Sequence, residues 1–292
     1  MVTGKDSWKL VGLLLLCLLL AHIGFFALLG SFRDKLTFDF LVLLNAFALI
    51  FVLLLPTVLF GTMQKWNWFE VFRLRPTSWR IIFITVIGTF ALGLTVSQLT
   101  LWLIQRLADS VIVEQSKLTN LLSATEKARF PILLIFAVML PALPEELVFR
   151  GVIQQGFEHQ YSPKLAILLT GIVFAIFHLD PIQAFSVAAI AIFWGWIAWR
   201  SQSVLPSLFA HAFQNALTVI SVTLARAGSE GVWVSKKVLS VSPNWWAALL
   251  GLSVWIVSLL TLMRLLPRRG EGNGSATFGV YSDQTGTASG SR

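Results

Sequence analysis

Pro144-Glu145-Glu146-Leu147-Val148-Phe149-Arg150-Gly151 sets two adjacent carboxylates and a guanidinium directly behind the apolar stretch 130–143. Of the fourteen Asp and Glu residues in the chain, these two are the ones expected at membrane depth. An ionisable side chain in hydrocarbon costs about 2.5–3.5 kcal/mol even on the lenient insertion scale, so it marks a functional site by default. The surroundings fix the solvent. The chain has 292 residues, of which 56% are hydrophobic and 12% charged, and its mean hydropathy is +0.78. That composition belongs to a polytopic membrane protein and excludes a soluble domain. The net charge of +8 does not argue for nucleic acid, because the basic residues fall between apolar runs, where they anchor loops and meet anionic lipid.

Apolar runs recur at 10–30, 40–62, 81–105, 130–150, 165–179, 182–199, 204–225 and 245–266. A spanning helix needs roughly 20 residues, and the fourth and fifth runs are short or interrupted. The expectation is an all-α protein of about eight transmembrane helices, with the interrupted, polar ones surrounding a central cavity. The first run reads as a retained helix, since no small-residue cleavage site ends it. Cys17 is the single cysteine, so no intrachain disulfide can form. Trp8, Trp66, Trp68, Trp79, Trp245 and Trp246 fall at helix ends and are expected at the headgroup boundary. Trp194, Trp196 and Trp199 are expected to serve packing or the interface. Lys5, Lys9, Lys65, Arg73, Arg75, Arg80, Arg264, Arg268 and Arg269 favour cytoplasmic termini over the side carrying Arg33, Lys35, Arg106, Lys117, Lys127, Arg129, Arg226, Lys236 and Lys237. Segment 106–129 is expected to form a surface helix. The tail from Gly270 to Arg292 buries too little to fold. The chain thus divides into N-terminal helices (1–129), a polar core (130–225), a loop with the last helix (226–269) and a disordered tail (270–292).

On a helix, Glu146 and Arg150 are four apart and share a face, with the acid N-terminal as preferred. Glu145 is rotated by about 100° from its neighbour, so one carboxylate is neutralised while the other points elsewhere. If Pro144 opens a fresh helical segment, both acids lie in its first turn, where the dipole favours negative charge and burial opposes it. A carboxylate between those influences is a candidate general base. Two further polar interruptions follow: Phe174-Ala175-Ile176-Phe177-His178, and His211-Ala212-Phe213-Gln214-Asn215, which sets His211 and Asn215 on one helical face. Each alone fits interhelical hydrogen bonding; together they suggest one site. His22 and His159 have no such company and read as structural.

These residues suit two chemistries. A carboxylate and an imidazole can activate water while a second imidazole and an amide meet a developing oxyanion. Alternatively Glu145, His178 and His211 form a His₂Glu zinc set with a fourth position open, although no His-Glu-x-x-His helix is present. Ser201, Ser203 and Ser207 lack the surroundings of a nucleophile, and Cys17 is embedded in leucines.

The motifs Glu145-Glu146-x-x-x-Arg150, Phe174-x-x-x-His178 and His211-x-x-x-Asn215 stand in the order of the CAAX-processing and bacteriocin-processing (CPBP) intramembrane proteases, which include the type II CAAX prenyl endopeptidases. Over roughly 130–225 the chain resembles that family, and Gly195-Trp196 and Pro206 agree with it. The resemblance implies eight helices around a conical cavity open to the cytosol. It implies that Glu145 with His178 activates water, that His211 and Asn215 stabilise the oxyanion, and that Glu146 and Arg150 form a supporting pair. The family is often labelled a metalloprotease, but its better-studied members look like glutamate proteases, so no cofactor is expected and zinc is the alternative.

The expected partner is a membrane protein or lipidated peptide in a bacterial plasma membrane, and the rival readings are a non-catalytic immunity or partner-binding protein and, more distantly, a proton-coupled transporter. One geometric condition applies. His178 lies about 21 Å along its helix at roughly 1.5 Å per residue, so it meets Glu145 only if the preceding helix runs on past Arg150 or its own helix starts outside the bilayer.

Overall fold

The structure is a computed structural model and describes residues 1–32, 44, 47–107, 138, 140–227 and 242–267. Every regular element among these residues is helical. In chain order they are α1 (Gly4–Phe32), α2 (Phe47–Met63, wide-turned over Ile50–Leu54), the single turn α3 (Trp68–Val71) and α4 (Trp79–Leu107). Next comes α5, which runs through Leu140–Glu146, a π-helical stretch Leu147–Ile153 and Gln154–Gln160. It is followed by α6 (Pro163–Ile176), α7 (Pro181–Ser201), α8 (Leu205–Ala227) and α9 (Trp245–Leu265). Residues 108–129 of the expected surface helix, whose first two residues instead end α4, lie outside the described residues, as do the tail and the charges at 33, 35, 117, 127, 129, 236, 237, 268 and 269.

Local chemistry sets the boundaries. Thr3 and Asp6 cap α1 reciprocally, the Thr3 amide donating to Asp6 at 3.0 Å and the Asp6 amide to Thr3 Oγ1 at 3.2 Å. Ser162 and Asp180 stand before Pro163 and Pro181, a proline's missing N–H costing nothing in a first turn. Asp180 Oδ1 accepts from the amides of Ile182 and Gln183 at 2.8 and 2.9 Å. Asn244 caps α9 through the Ala247 amide. Pro144, however, does not open a helix: α5 is already formed at Leu140, so the two glutamates sit inside it rather than in a first turn. The proline leaves the Leu140 carbonyl without its usual donor, and the wide π turns follow at once.

Four helices among the described residues are long and apolar enough to cross a membrane: Gly4–Leu28, Trp79–Arg106, Pro181–Ser201 and Trp245–Leu265. Phe47–Met63 and Pro163–Ile176 are apolar but shorter. The described residues are therefore all-helical and multi-pass in character, with four such helices among them against the eight spans expected of the whole chain. Outward-facing Leu16, Leu19, Leu20 and Ile23 on α1 are 53–58% exposed. A stripe of that kind marks a surface that meets a membrane or a partner protein.

Hydrogen bonds at both ends fix the helix directions. Trp8 donates to Tyr161 Oη at 3.0 Å, Arg73 pairs with Glu158, the Val204 amide reaches Arg73 O at 3.1 Å, and Arg200 donates to Leu266 O at 2.8 Å. The start of α1, the 64–78 connection, the turns after α5 and α7 and the end of α9 thus share one end. At the other, the Asn244 amide donates to Gln98 at 2.8 Å and Thr100 meets Ser186 at 2.9 Å. Trp79 and Trp246 are exposed at helix ends as expected, but Trp66 is buried, packed between Phe60 and Trp68 with ring centroids at 5.6 and 6.0 Å. An indole enclosed by other rings gains more from their edges than from a headgroup.

α4 packs closely on α9, α8 and α7. A Cβ on Gly251 of α9 would lie 2.6 Å from the Ala91 carbonyl of α4, so only glycine permits this approach. Gly251→Ala should lower stability by about 1–3 kcal/mol through overpacking. Gly12→Ala, which meets nothing within 4 Å, should leave it unchanged or slightly raised. Thermal unfolding in detergent measures both.

Candidate active site

The helical hairpin α5–α6 meets the condition read from the sequence. α5 runs on past Arg150 to Gln160, and only Tyr161 and Ser162 separate it from α6. Glu145 lies fifteen residues before Gln160 and His178 fifteen residues beyond Pro163. Arms of equal length, about 22 Å at 1.5 Å per residue, return the histidine to the level of the glutamate. The two are close enough to interact electrostatically. Phe149 packs edge-on against Phe174 and Phe177 with centroids at 5.0 and 5.1 Å, which holds the arms together at that level.

The two glutamates have different environments. Glu146 is fully buried, with Oε1 2.9 Å from Arg150 Nη1. Arg150 is itself fully buried; it lies over the Phe174 ring at 4.4 Å and near Trp194 at 5.4 Å, and donates to the Ala191 carbonyl at 3.3 Å. Glu146 Oε1 also meets His211 Nδ1 at 3.0 Å. The Glu145 side chain is 14% exposed against none for Glu146, so Glu145 is the acid that water can reach. Its Oε2 lies 3.6 Å from His211 Nε2, beyond a direct hydrogen bond.

These contacts assign the imidazole protons. A carboxylate accepts, so His211 Nδ1 carries a proton toward Glu146, and Nε2 faces Glu145. A carbonyl also accepts, so His178 donates from Nδ1 to Phe174 O at 2.9 Å and keeps Nε2 for other partners. Asn215, one turn beyond His211 on α8, donates to the Val138 carbonyl at 3.3 Å. Its amide is therefore directed to the segment entering α5. Glu145, Glu146, Arg150 and His211 form one contiguous cluster, with His178 beside Glu145 and Asn215 at its edge.

The zinc alternative needs Glu145, His178 and His211 to converge on one point. Among the described residues no three His, Cys, Asp or Glu side chains are grouped to hold a metal ion. The serine hydroxyls are committed: Ser201 donates to Ile197 O and Ser203 O, Ser203 to Arg75 O, and Ser207 to Val204 O. His22 and His159 bond the backbone carbonyls of Leu18 and Val2, in keeping with structural roles.

Several contributors escaped the sequence reading. Gln154 and Glu158 continue the four-residue spacing of Glu146 and Arg150 along α5. Gln154 Nε2 donates to Gly195 O at 2.9 Å and to Glu158 Oε1 at 2.8 Å, and Glu158 pairs with Arg73. That spacing was visible in the sequence. Trp194, expected to serve packing or the interface, lies stacked on His211 with centroids 4.5 Å apart. Nothing in its local sequence distinguishes it from Trp196.

Replacing Arg150 by Met should destabilise the fold by about 3–5 kcal/mol, because Glu146 would be left as an uncompensated buried charge. Glu145→Gln, at a partly exposed carboxylate with only a 3.6 Å contact to His211, should cost far less. Unfolding midpoints of the two variants in one detergent compare them directly.

Residues 127–217, which hold every member of this cluster, match the family model described as type II CAAX prenyl endopeptidase Rce1-like. No match was found among curated proteins or among solved structures. The match agrees with the resemblance carried by the three motifs, and over these residues the chain is similar to the Rce1-like type II CAAX prenyl endopeptidases.

Proposed function

We propose that the protein is an intramembrane endopeptidase that hydrolyses a peptide bond of a membrane-associated substrate with a water activated by Glu145. The reading rests chiefly on one observation: of two adjacent acids, one is consumed by Arg150 and His211 while the other is open to water and faces an imidazole nitrogen across a gap of 3.6 Å. That gap suits a bridging water or a reacting oxygen.

In this mechanism a water is held by Glu145 and by the free Nε2 of His178. Glu145 takes its proton as the water oxygen attacks the scissile carbonyl carbon. The carbonyl oxygen becomes an oxyanion, which the Nε2–H of doubly protonated His211 and the Asn215 amide stabilise. Because Nδ1 already donates to Glu146, His211 can donate from Nε2 only as the imidazolium. Glu145 then passes its proton to the leaving amine, the C–N bond breaks, and both carboxylates return to their starting state. No metal enters any step.

The apolar setting and the likeness to CAAX prenyl endopeptidases support one substrate class: a peptide anchored at the bilayer, of which a prenylated C-terminal CAAX segment is the first choice. The site sits on helices packed among apolar spans, so a substrate carried into the lipid by its own anchor has the shortest approach.

Purified protein in liposomes, given a farnesylated CAAX-type peptide and its unprenylated counterpart, tests the proposal. Cleavage should fall at least ~10²-fold in folded Glu145→Gln, and undiminished cleavage by that variant overturns the assignment of the base. Treatment with chelator to full metal removal should leave the wild-type rate intact. Activity lost with the metal and restored by stoichiometric zinc would replace the glutamate route.

A further inference from the structure

α4 contributes no residue to the matched segment 127–217, yet it reaches the site through one hydrogen bond. The indole Nε1 of Trp194 donates to Thr89 Oγ1 at 3.0 Å, with Thr89 fully buried and Trp194 3% exposed. The same indole lies flat on His211, the centroids 4.5 Å apart and the planes 26° from parallel. Phe174 packs edge-on against both rings, 5.9 Å from His211 and 6.5 Å from Trp194.

The restraints on His211 can be separated. Its hydrogen bond to Glu146 at 3.0 Å fixes Nδ1. That bond alone leaves the imidazole free to swing about the Nδ1···O axis, because the terminal torsion of histidine has broad, shallow wells. A flat aromatic neighbour removes that swing. With the ring held against the indole, Nε2 is directed at Glu145. The indole in turn needs an anchor: a buried N–H seeks an acceptor, and Thr89 provides it across the α4–α7 interface. We infer that Trp194, tethered by Thr89, is a positioning residue that sets the plane of His211. This inference deepens the proposed function and rests on it for its kinetic part, while the geometry of the ring can be read without any cleavage.

Thr89→Val keeps the shape of the side chain and deletes the acceptor. It should lower kcat roughly tenfold, the scale of one buried hydrogen bond left unmade, with KM nearly unchanged. Thr89→Ser restores the oxygen and should recover most of the rate. Trp194→Phe, which keeps an aromatic face without the N–H, should resemble Thr89→Val. The double variant should be no slower than the slower single one, because both delete the same bond.

The second readout is independent of activity. The chain has four histidines, so the ring-proton resonances of His211 can be assigned by difference from His211→Gln. The stacked indole should shift them upfield. Thr89→Val should relax that shift and Thr89→Ser should restore it. An unaltered His211 resonance in Thr89→Val, a Thr89→Ser variant as slow as Thr89→Val, or a double variant with multiplied losses each overturns the positioning role. If no form of the protein cleaves but the resonance responds as stated, the proposed function fails and the tether stands. If Glu145→Gln abolishes cleavage while Thr89→Val changes neither rate nor resonance, the tether alone fails.

Discussion

A fully buried arginine and glutamate hold this structure to its form. Glu146 and Arg150 lie fully enclosed at 2.9 Å on successive turns of α5, and neither can be there without the other. Each also recruits a second helix. Arg150 reaches the Ala191 carbonyl on α7 and the faces of Phe174 and Trp194, and Glu146 reaches His211 on α8. Helices α5, α6, α7 and α8 are thereby held to one depth by groups that would be costly to separate. Glu145 takes no part in that enclosed pair and keeps a side chain that is 14% exposed.

The sequence reported partition well and register poorly. Apolar runs located α4, α6, α7, α8 and α9 to within a few residues, because hydropathy measures transfer into lipid and each of these helices is lined by lipid or protein. The four-residue spacing of Glu146 and Arg150, and of His211 and Asn215, gave the shared faces correctly. What it could not give is set by long-range packing. The π-helical stretch Leu147–Ile153 and the continuation of α5 to Gln160 place Glu145 opposite His178, and neither follows from composition. Pro144 looked like a helix start and is an interior residue. Trp66 looked like an interface anchor and lies under Phe60 and Trp68, since an aromatic at a helix end may turn inward as readily as outward.

The contacts of the site extend beyond the segment that carries its motifs. Thr89 on α4 touches Trp194, Gly251 on α9 admits α4, and Arg73 in the 64–78 connection closes on Glu158. A motif records the groups that do chemistry. The groups that orient them are scattered among residues whose identity, threonine or glycine, is unremarkable in any apolar helix. Polar atoms along α5 confirm the point: the spacing was legible, but its meaning required the carbonyls of Ala191 and Gly195 on α7.

The stripe on α5 has a consequence for biogenesis. Glu146, Arg150, Gln154 and Glu158 recur every four residues along one side of a helix that also carries Glu145, and three of the four are wholly enclosed by neighbouring helices. A segment so charged does not partition from the translocon into lipid on its own, each central charge opposing transfer by about 2.5–3.5 kcal/mol. Its entry must be carried by α6, joined to it through two residues, and completed only when α7 and α8 emerge to receive the arginine and the glutamate. Assembly of the site and integration of the chain are then a single event, and a ribosome stalled before α8 would leave α5 in the wrong solvent.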